Sequence, residues 1–480
     1  MSQPRLLIPV TMQFSVRYLL RTGLLARLTE FTQPVIALGW DDAALTREFE
    51  LAGAEVYRLP EAQRGPAYAR VREQLNVWHQ QRLASPSTAI DERRTLAQMP
   101  AGPRWRRRVR RTLDEWQLQR PGVAETWLAR EVQLLHADTN LQSFVEFCAR
   151  LRVDAAFSLT PYLFDEELLL RACAARQLPL CTAILSFDNL TTRGWIPLNF
   201  ERYLLWNRYN QNELLRGYPA AAAARVTQVG PAQFDFYWDA NYLWPEAEWR
   251  QRLSLPAERP VILYGAGHHS IVPHEPHFVA QLDQAIEIGE IPGRPAILFR
   301  RHPNDPLERW QALLNQARHV IYEDPWLSTG PVLGRTNVKD EDITRLVSSL
   351  CHSAVHVSVS STMTIDGSIF NRPQIGPAYD DRPGGKFDRI AHELYLREHY
   401  LPITDSGGLA LARSRAAMIE AVRDAMREPA LLAGGRQQLV REICTYTDGQ
   451  CTKRVAQGVR EFLGLADVPS APQLAAALTV

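Results

Sequence analysis

The sequence predicts an α/β protein made of two Rossmann-like, doubly wound domains, the first carrying a helical insertion. Three observations support this. Short apolar runs alternate with helix-length amphipathic segments in both halves of the chain, the order that parallel sheets require. The alternation stops between about 61 and 150, where charged, aromatic, helix-forming sequence takes over. In the second half, strand ends run directly into glycine-rich or hydroxyl-rich turns.

In chain order, residues 6–10, 34–38 and 54–59 read as strands, with helices at 15–28 and 41–51 between them. Pro86, Pro100, Pro103 and Pro121-Gly122 punctuate the insertion at 61–150. Strands then resume at 153–159, 180–185, 203–206 and 226–229, with a helix at 166–176. The Trp- and Asp-rich stretch 235–256 is the expected hinge. This gives a first domain of 1–240, a second of 241–450, and a final helix and tail in 451–480. The second domain has strands at 261–265, 295–299 and 354–359, and helices at 414–426, 429–444 and 452–463.

Composition narrows the function. A chain of 480 residues with 46% hydrophobic content can bury two or three cores. A formal net charge of +1 argues against a general nucleic-acid binder, and no apolar run is long enough to span a bilayer. The first residues lack the basic start and apolar core of a signal peptide, so the expected location is cytoplasmic. The six cysteines show no metal-ligand spacing and read as reduced thiols, Cys444 and Cys451 included. No cofactor or metal is expected.

The chemistry-bearing residues cluster at strand ends. Gly265 and Gly267, ahead of His268, follow a strand where backbone amides can approach a phosphate; a plain tight turn has the same look. Arg301 and His302 close another strand, and Pro303 holds His302 extended. A cationic Arg-His pair there would neutralise a departing diphosphate; a loop-capping histidine is the other reading. Ser360, Ser361 and Thr362 open a helix, either as an N-cap or as an anion cradle, and Asp366 sits one turn up the same helix, within reach of a ribose. Lys386, after a Pro-Gly-Gly turn, is either a further cation for the ligand or a solvated lysine.

These motifs resemble the nucleotide-binding half of GT-B glycosyltransferases over about 256–460. The likeness is to the branch with CDP-glycerol glycerophosphotransferases and bacterial surface-polysaccharide transferases. There the signposts are an Arg-x-His-Pro segment, a Ser-Ser-Thr-x-x-x-Glu segment and a Gly-Lys-Pro-like turn. They stand here as Arg300 to Pro303, Ser360 to Asp366, and Asn371-Arg372-Pro373. Asp366 replaces the usual Glu and Arg372 the usual Lys, while Glu275 matches a carboxylate of the branch's glycine loop. The resemblance implies two domains facing a cleft, with the final helix crossing back onto the first. It also implies a metal-independent glycosyltransferase moving a sugar from a nucleotide-activated donor to a glycan or lipid-linked acceptor. CDP-activated glycerophosphoryl transfer, nucleotide-sugar epimerisation and a catalytically silent binding protein are the alternatives.

On the acceptor side, Ser186 to Gly194 resembles a Trp-Asp-Asn-Leu-like segment of related transferases, with Phe187 in place of Trp. Asp188 is the candidate base, or else a residue that merely ends its strand. The loops 11–17 and 160–165 are candidate acceptor contacts. Within the insertion, Trp105, Val109, Leu113 and Trp116 form one helical stripe flanked by arginines over 104–116. Such a stripe fits either a helix packed on its neighbours or a peripheral contact with the inner face of a membrane.

Overall fold

The structure, a computed structural model, describes residues 3–325, 337–381 and 392–465. Its first sheet consists of β1 (Arg5–Val10), β2 (Gln33–Leu38), β3 (Glu55–Arg58), β4 (Ala155–Ser158), β5 (Leu180–Ala183), β6 (Arg202–Leu205) and β7 (Arg225–Gln228). The strands are parallel in the order β3-β2-β1-β4-β5-β6-β7. The second sheet holds β8 (Val261–Gly265), β9 (Ala296–Arg300), β10 (Val320–Glu323), β11 (Val355–Ser358), β12 (Gln374–Pro377) and β13 (Leu409–Ala412), in the order β10-β9-β8-β11-β12-β13. β1, β2, β8 and β9 are almost wholly buried because helices cover both faces, which explains their unbroken apolar runs.

Winding reverses between β1 and β4 in one sheet and between β8 and β11 in the other, where Leu7 pairs with Ala156 and Tyr264 with Val357. A doubly wound sheet leaves a crevice at that reversal, beyond the carboxyl ends of its strands. The loops after β1, β5, β8, β9 and β11 meet there.

Several elements differ from the sequence expectation. The helix expected over 15–28 is broken into Gln13–Val16, a π-helical turn Arg17–Arg21 and Leu24–Thr29, with Gly23 at φ 74° before the last piece. No strand is expected from the sequence at β10, β12 or β13. β10 is a partly exposed edge, β12 contains Gly376 and Pro377, and β13 reads Leu-Ala-Leu-Ala, which favours helix as much as strand. Lys386 lies outside the described residues.

Five helices fill the chain between β3 and β4: Pro66–Leu83, Pro86–Gln98, Ala101–Leu118, Val123–Ala137 and Leu141–Leu151. The last covers the first sheet through Phe144, Phe147 and Leu151. The helix Pro86–Gln98 reaches the second domain, where Arg94 and Gln98 both donate to Ser270 O and the Ser87 hydroxyl accepts from Glu398 N at 2.9 Å. Asp91 forms ion pairs with Arg94 and Arg397. The helix Cys451–Phe462 returns to the first sheet, with Val455 and Val459 in its core and Arg202 donating to Gly458 O at 2.7 Å. All six cysteines are free thiols.

Candidate functional site

A cavity of about 330 Å³ lies between the two sheets, lined from both domains. The first domain contributes Arg17 from the π-helical turn, Asp188 and Asn189 from the loop after β5, and Tyr237 from the linker. Gly267, His268, His302, Ser360, Ser361, Thr362 and Asp366 come from the second. Arg397 and His399 close the rim between β12 and β13.

On the second-domain side, Ser360 takes a left-handed φ of 44°, its amide donating to the Tyr395 hydroxyl and its own hydroxyl to Leu394 O at 3.0 Å. Ser360 therefore shapes the turn, and Ser361 Oγ accepts from Met363 N at 3.2 Å. The amides of Ser361 and Thr362 have no acceptor among the described residues and remain for a ligand. The following helix, Met363–Ile369, is only seven residues long, so these individual amides matter more than its dipole. Asp366 is buried with Oδ1 unpartnered. Burial pushes it up to about 7 despite the attraction of Arg17.

The Asn304 amide donates to His302 Nδ1 at 3.1 Å, which leaves the proton on Nε2. Burial, helped by His268, lowers His302 to about 4, so the ring is a neutral donor at physiological pH. The expected cationic Arg-His pair is absent. Arg301 instead binds the Tyr322 hydroxyl at 2.8 Å, Asp305 O at 2.6 Å and Asp324 at 3.2 Å, and does not line the cavity. Positive charge enters instead from Arg17, Arg193 and Arg397.

Two other sequence candidates hold the glycine loop without lining the cavity. Glu275 is fully buried and accepts from Gly267 N at 2.8 Å and Tyr264 Oη at 3.2 Å; burial raises it to about 8. At Gly265 an added Cβ would lie 2.2 Å from Met363 Sδ, so glycine lets the Ser-Ser-Thr turn seat against β8.

On the first-domain side, burial alone would raise Asp188, but nearby His399, hydrogen bonding from Ser186, and then Arg193 and Thr192 outweigh it and hold the carboxyl below its usual range. Thr192 Oγ1 donates to Asp188 Oδ2 at 3.1 Å. His399 Nδ1 sits 3.1 Å from Thr191 Oγ1, and burial keeps the ring neutral, titrating at about 4. Of the proposed acceptor loops, Arg17 and Tyr162 reach the cavity, whereas the Thr11 and Thr160 hydroxyls are tied to buried Glu166. Sequence reasoning missed Tyr237 and His399, which carry no motif and enter from the linker and from a short 3-10 turn.

No protein-family model matches the chain, and no curated protein matches it in sequence. Its fold is shared with solved structures. S. aureus MnaA in a co-structure with UDP is 10% identical, with 97% of this chain and 98% of that one covered and a TM-score of 0.55. The UDP-GlcNAc 2-epimerase from Neisseria meningitidis bound to UDP-GlcNAc is 10% identical over 95% of this chain and 100% of that one, at 0.53. The UDP-N-acetylglucosamine 2-epimerase from Rickettsia bellii is 11% identical over 97% and 98%, at 0.52. The architecture is therefore GT-B, two Rossmann-like domains around a cleft.

Proposed function

We propose that this chain is a glycosyltransferase that moves a sugar from a nucleotide-activated donor to an acceptor hydroxyl. One observation supports this most strongly: groups suited to a diphosphate and an ionised carboxylate line the same cavity from opposite domains. The Ser361 and Thr362 amides and His302 Nε2–H can donate to phosphate oxygens, and Arg17 supplies positive charge. Asp366 is in reach of the ribose hydroxyls. Asp188 takes the acceptor's proton as the new glycosidic bond forms and the bond from sugar to phosphate breaks, the nucleotide diphosphate leaving with the electron pair. The surface-glycan branch that the motifs resemble suggests a glycan or lipid-linked acceptor, and CDP-activated polyol-phosphate transfer would use the same phosphate groups.

Epimerisation of a nucleotide sugar is the second reading, supported by likeness along nearly the whole chain to solved structures of UDP-N-acetylglucosamine 2-epimerases. The test begins with thermal stabilisation of the protein by UDP, CDP, GDP, dTDP and CMP, because a ligand of the folded state raises stability by mass action. The sugar derivatives of the nucleotide that binds are then incubated with the protein. Slow release of free nucleotide supports transfer, and an epimerised sugar with the nucleotide still attached supports epimerisation. Binding with neither product would leave a silent nucleotide-binding protein.

A further inference from the structure

We propose that the helix Ala101–Leu118 is a peripheral docking element for an anionic phospholipid surface, a role independent of which reaction the cleft performs. Trp105, Val109, Leu113 and Trp116 lie along one face and are 66%, 38%, 51% and 51% exposed. The helix is thus not packed on its neighbours through its apolar stripe. It is held by the opposite, polar face, where Arg107 forks onto Glu92 at 2.9 Å through Nε and at 2.6 Å through Nη2. On that same face Asp114 is paired with Arg70, and Arg111 Nη1 donates to Gln80 at 2.9 Å. An amphipathic helix that anchors itself through ion pairs and leaves its tryptophans outward is unlike a solvated surface helix, which buries its apolar stripe.

Charge identifies the occupant. The segment carries six arginines against two acids. Arg106 and Arg108 flank the stripe on either side, are exposed, and form no hydrogen bond or ion pair among the described residues. Trp116 also has the Arg120 guanidinium over its ring at 4.1 Å. Tryptophans that bury an apolar body beside cations that meet phosphate headgroups match the boundary region of an anionic bilayer. The stripe is four side chains over about 16 Å of one helix face, far fewer than the roughly 20–30 residues a side that a stable protein interface uses. No described helix is long and apolar enough to cross a membrane, so contact through this helix would be peripheral.

The full chain is tested by cosedimentation with vesicles of phosphatidylcholine alone and with increasing phosphatidylglycerol. Bound fraction should rise with phosphatidylglycerol and fall with added salt. Trp105→Ala with Trp116→Ala should weaken partitioning by at least about tenfold, and Arg106→Gln with Arg108→Gln by about fivefold per arginine. Both variants should keep the parent's thermal midpoint, because none of the four side chains is buried. The proposal is overturned by equal binding to both vesicle types, by no binding at low salt, or by a concentration-dependent dimer that the tryptophan variant abolishes. That last result would make the stripe a contact between two copies of this chain.

Discussion

Replacing Asp366 with Asn should make the protein more stable and a poorer nucleotide binder. Asp366 is buried, its Oδ1 is unpartnered, and burial raises it from 3.8 to about 7. Between those two values the native state holds a proton that the unfolded chain has released, so stability falls as pH rises from about 4 to about 7 and is level above. The rise spans roughly three pH units at 1.36 kcal/mol each, about 4 kcal/mol in all. Asn cannot ionise, so Asp366→Asn should gain on that order at pH 8 and nothing at pH 4. In a domain of this size the thermal midpoint at pH 8 should rise on the order of 10 °C. A carboxylate accepting from ribose hydroxyls contributes a charged hydrogen bond, so nucleotide affinity at pH 8 should drop about tenfold to a hundredfold. Thermal unfolding at both pH values and calorimetry with the nucleotide found by screening measure both effects. A variant destabilised equally at pH 4 and pH 8, with unchanged affinity, would show that Asp366 is a structural acceptor and would refute the reasoning.

Asp188→Asn should cut turnover by roughly 100-fold to 10,000-fold with donor affinity nearly intact, and near-normal turnover would assign Asp188 to ending its strand. Because His399 and hydrogen bonds hold Asp188 low against its burial, the acid limb of the pH–rate profile due to this residue should fall below the ordinary aspartate value. His302→Ala or Ser361→Val should each weaken nucleotide diphosphate binding about tenfold. Since His302 titrates at about 4, its contribution should be constant from pH 6 to pH 8, and a gain in affinity through that interval traced to this ring would contradict the neutral-donor role. Asp91→Ala removes the acidic partner of Arg94 and Arg397, which are 6% and 7% exposed. Unfolding free energy should fall by about 1–3 kcal/mol, and hydrogen exchange should rise at both ends of the bridge, in 86–98 and 393–400.

The sequence revealed whichever elements signal themselves locally. β1, β2, β8 and β9 are buried on both faces and read as apolar runs, while β10 and β13 owe their strand state to the neighbours they pair with. The Ser360 to Asp366 turn and His302 were legible because hydroxyls, His and Pro at a strand end are locally unusual. The direction of the Arg301 side chain was not legible, since it depends on Tyr322 and Asp324 across the β9–β10 edge. His399 and Tyr237 reach the cavity through tertiary packing that no spacing rule encodes. Exposure of the 104–116 stripe likewise rests on the inward ion pair of Arg107 with Glu92, a contact between separate helices.

Several buried carboxylates elsewhere in the chain have fuller sets of partners than Asp366. Glu166 receives the Ser158 and Thr160 hydroxyls, the Thr160 amide and the Thr11 hydroxyl, so its burial ties the loop after β1 to the one after β4. Glu323 is held by Arg300 and Arg345, and Glu131 and Glu167 share Arg72, Arg171 and the Tyr68 hydroxyl. Each of these groups meets the usual condition for burying a charge, which is a full set of partners. Asp366 keeps one oxygen, Oδ1, without a hydrogen-bond partner, and the incompletely bonded Nε of Arg17 lies in the same cavity. Hydrogen-bonding capacity left open beside a sheet reversal, in a cavity lined from both domains, costs stability and is recovered when a polar ligand enters. Nucleotide binding should therefore stabilise the second domain more at pH 8, where Asp366 is ionised, than at pH 5. Thermal shifts with saturating nucleotide at the two pH values test this, and an equal or larger shift at pH 5 would count against Asp366 as a ligand contact.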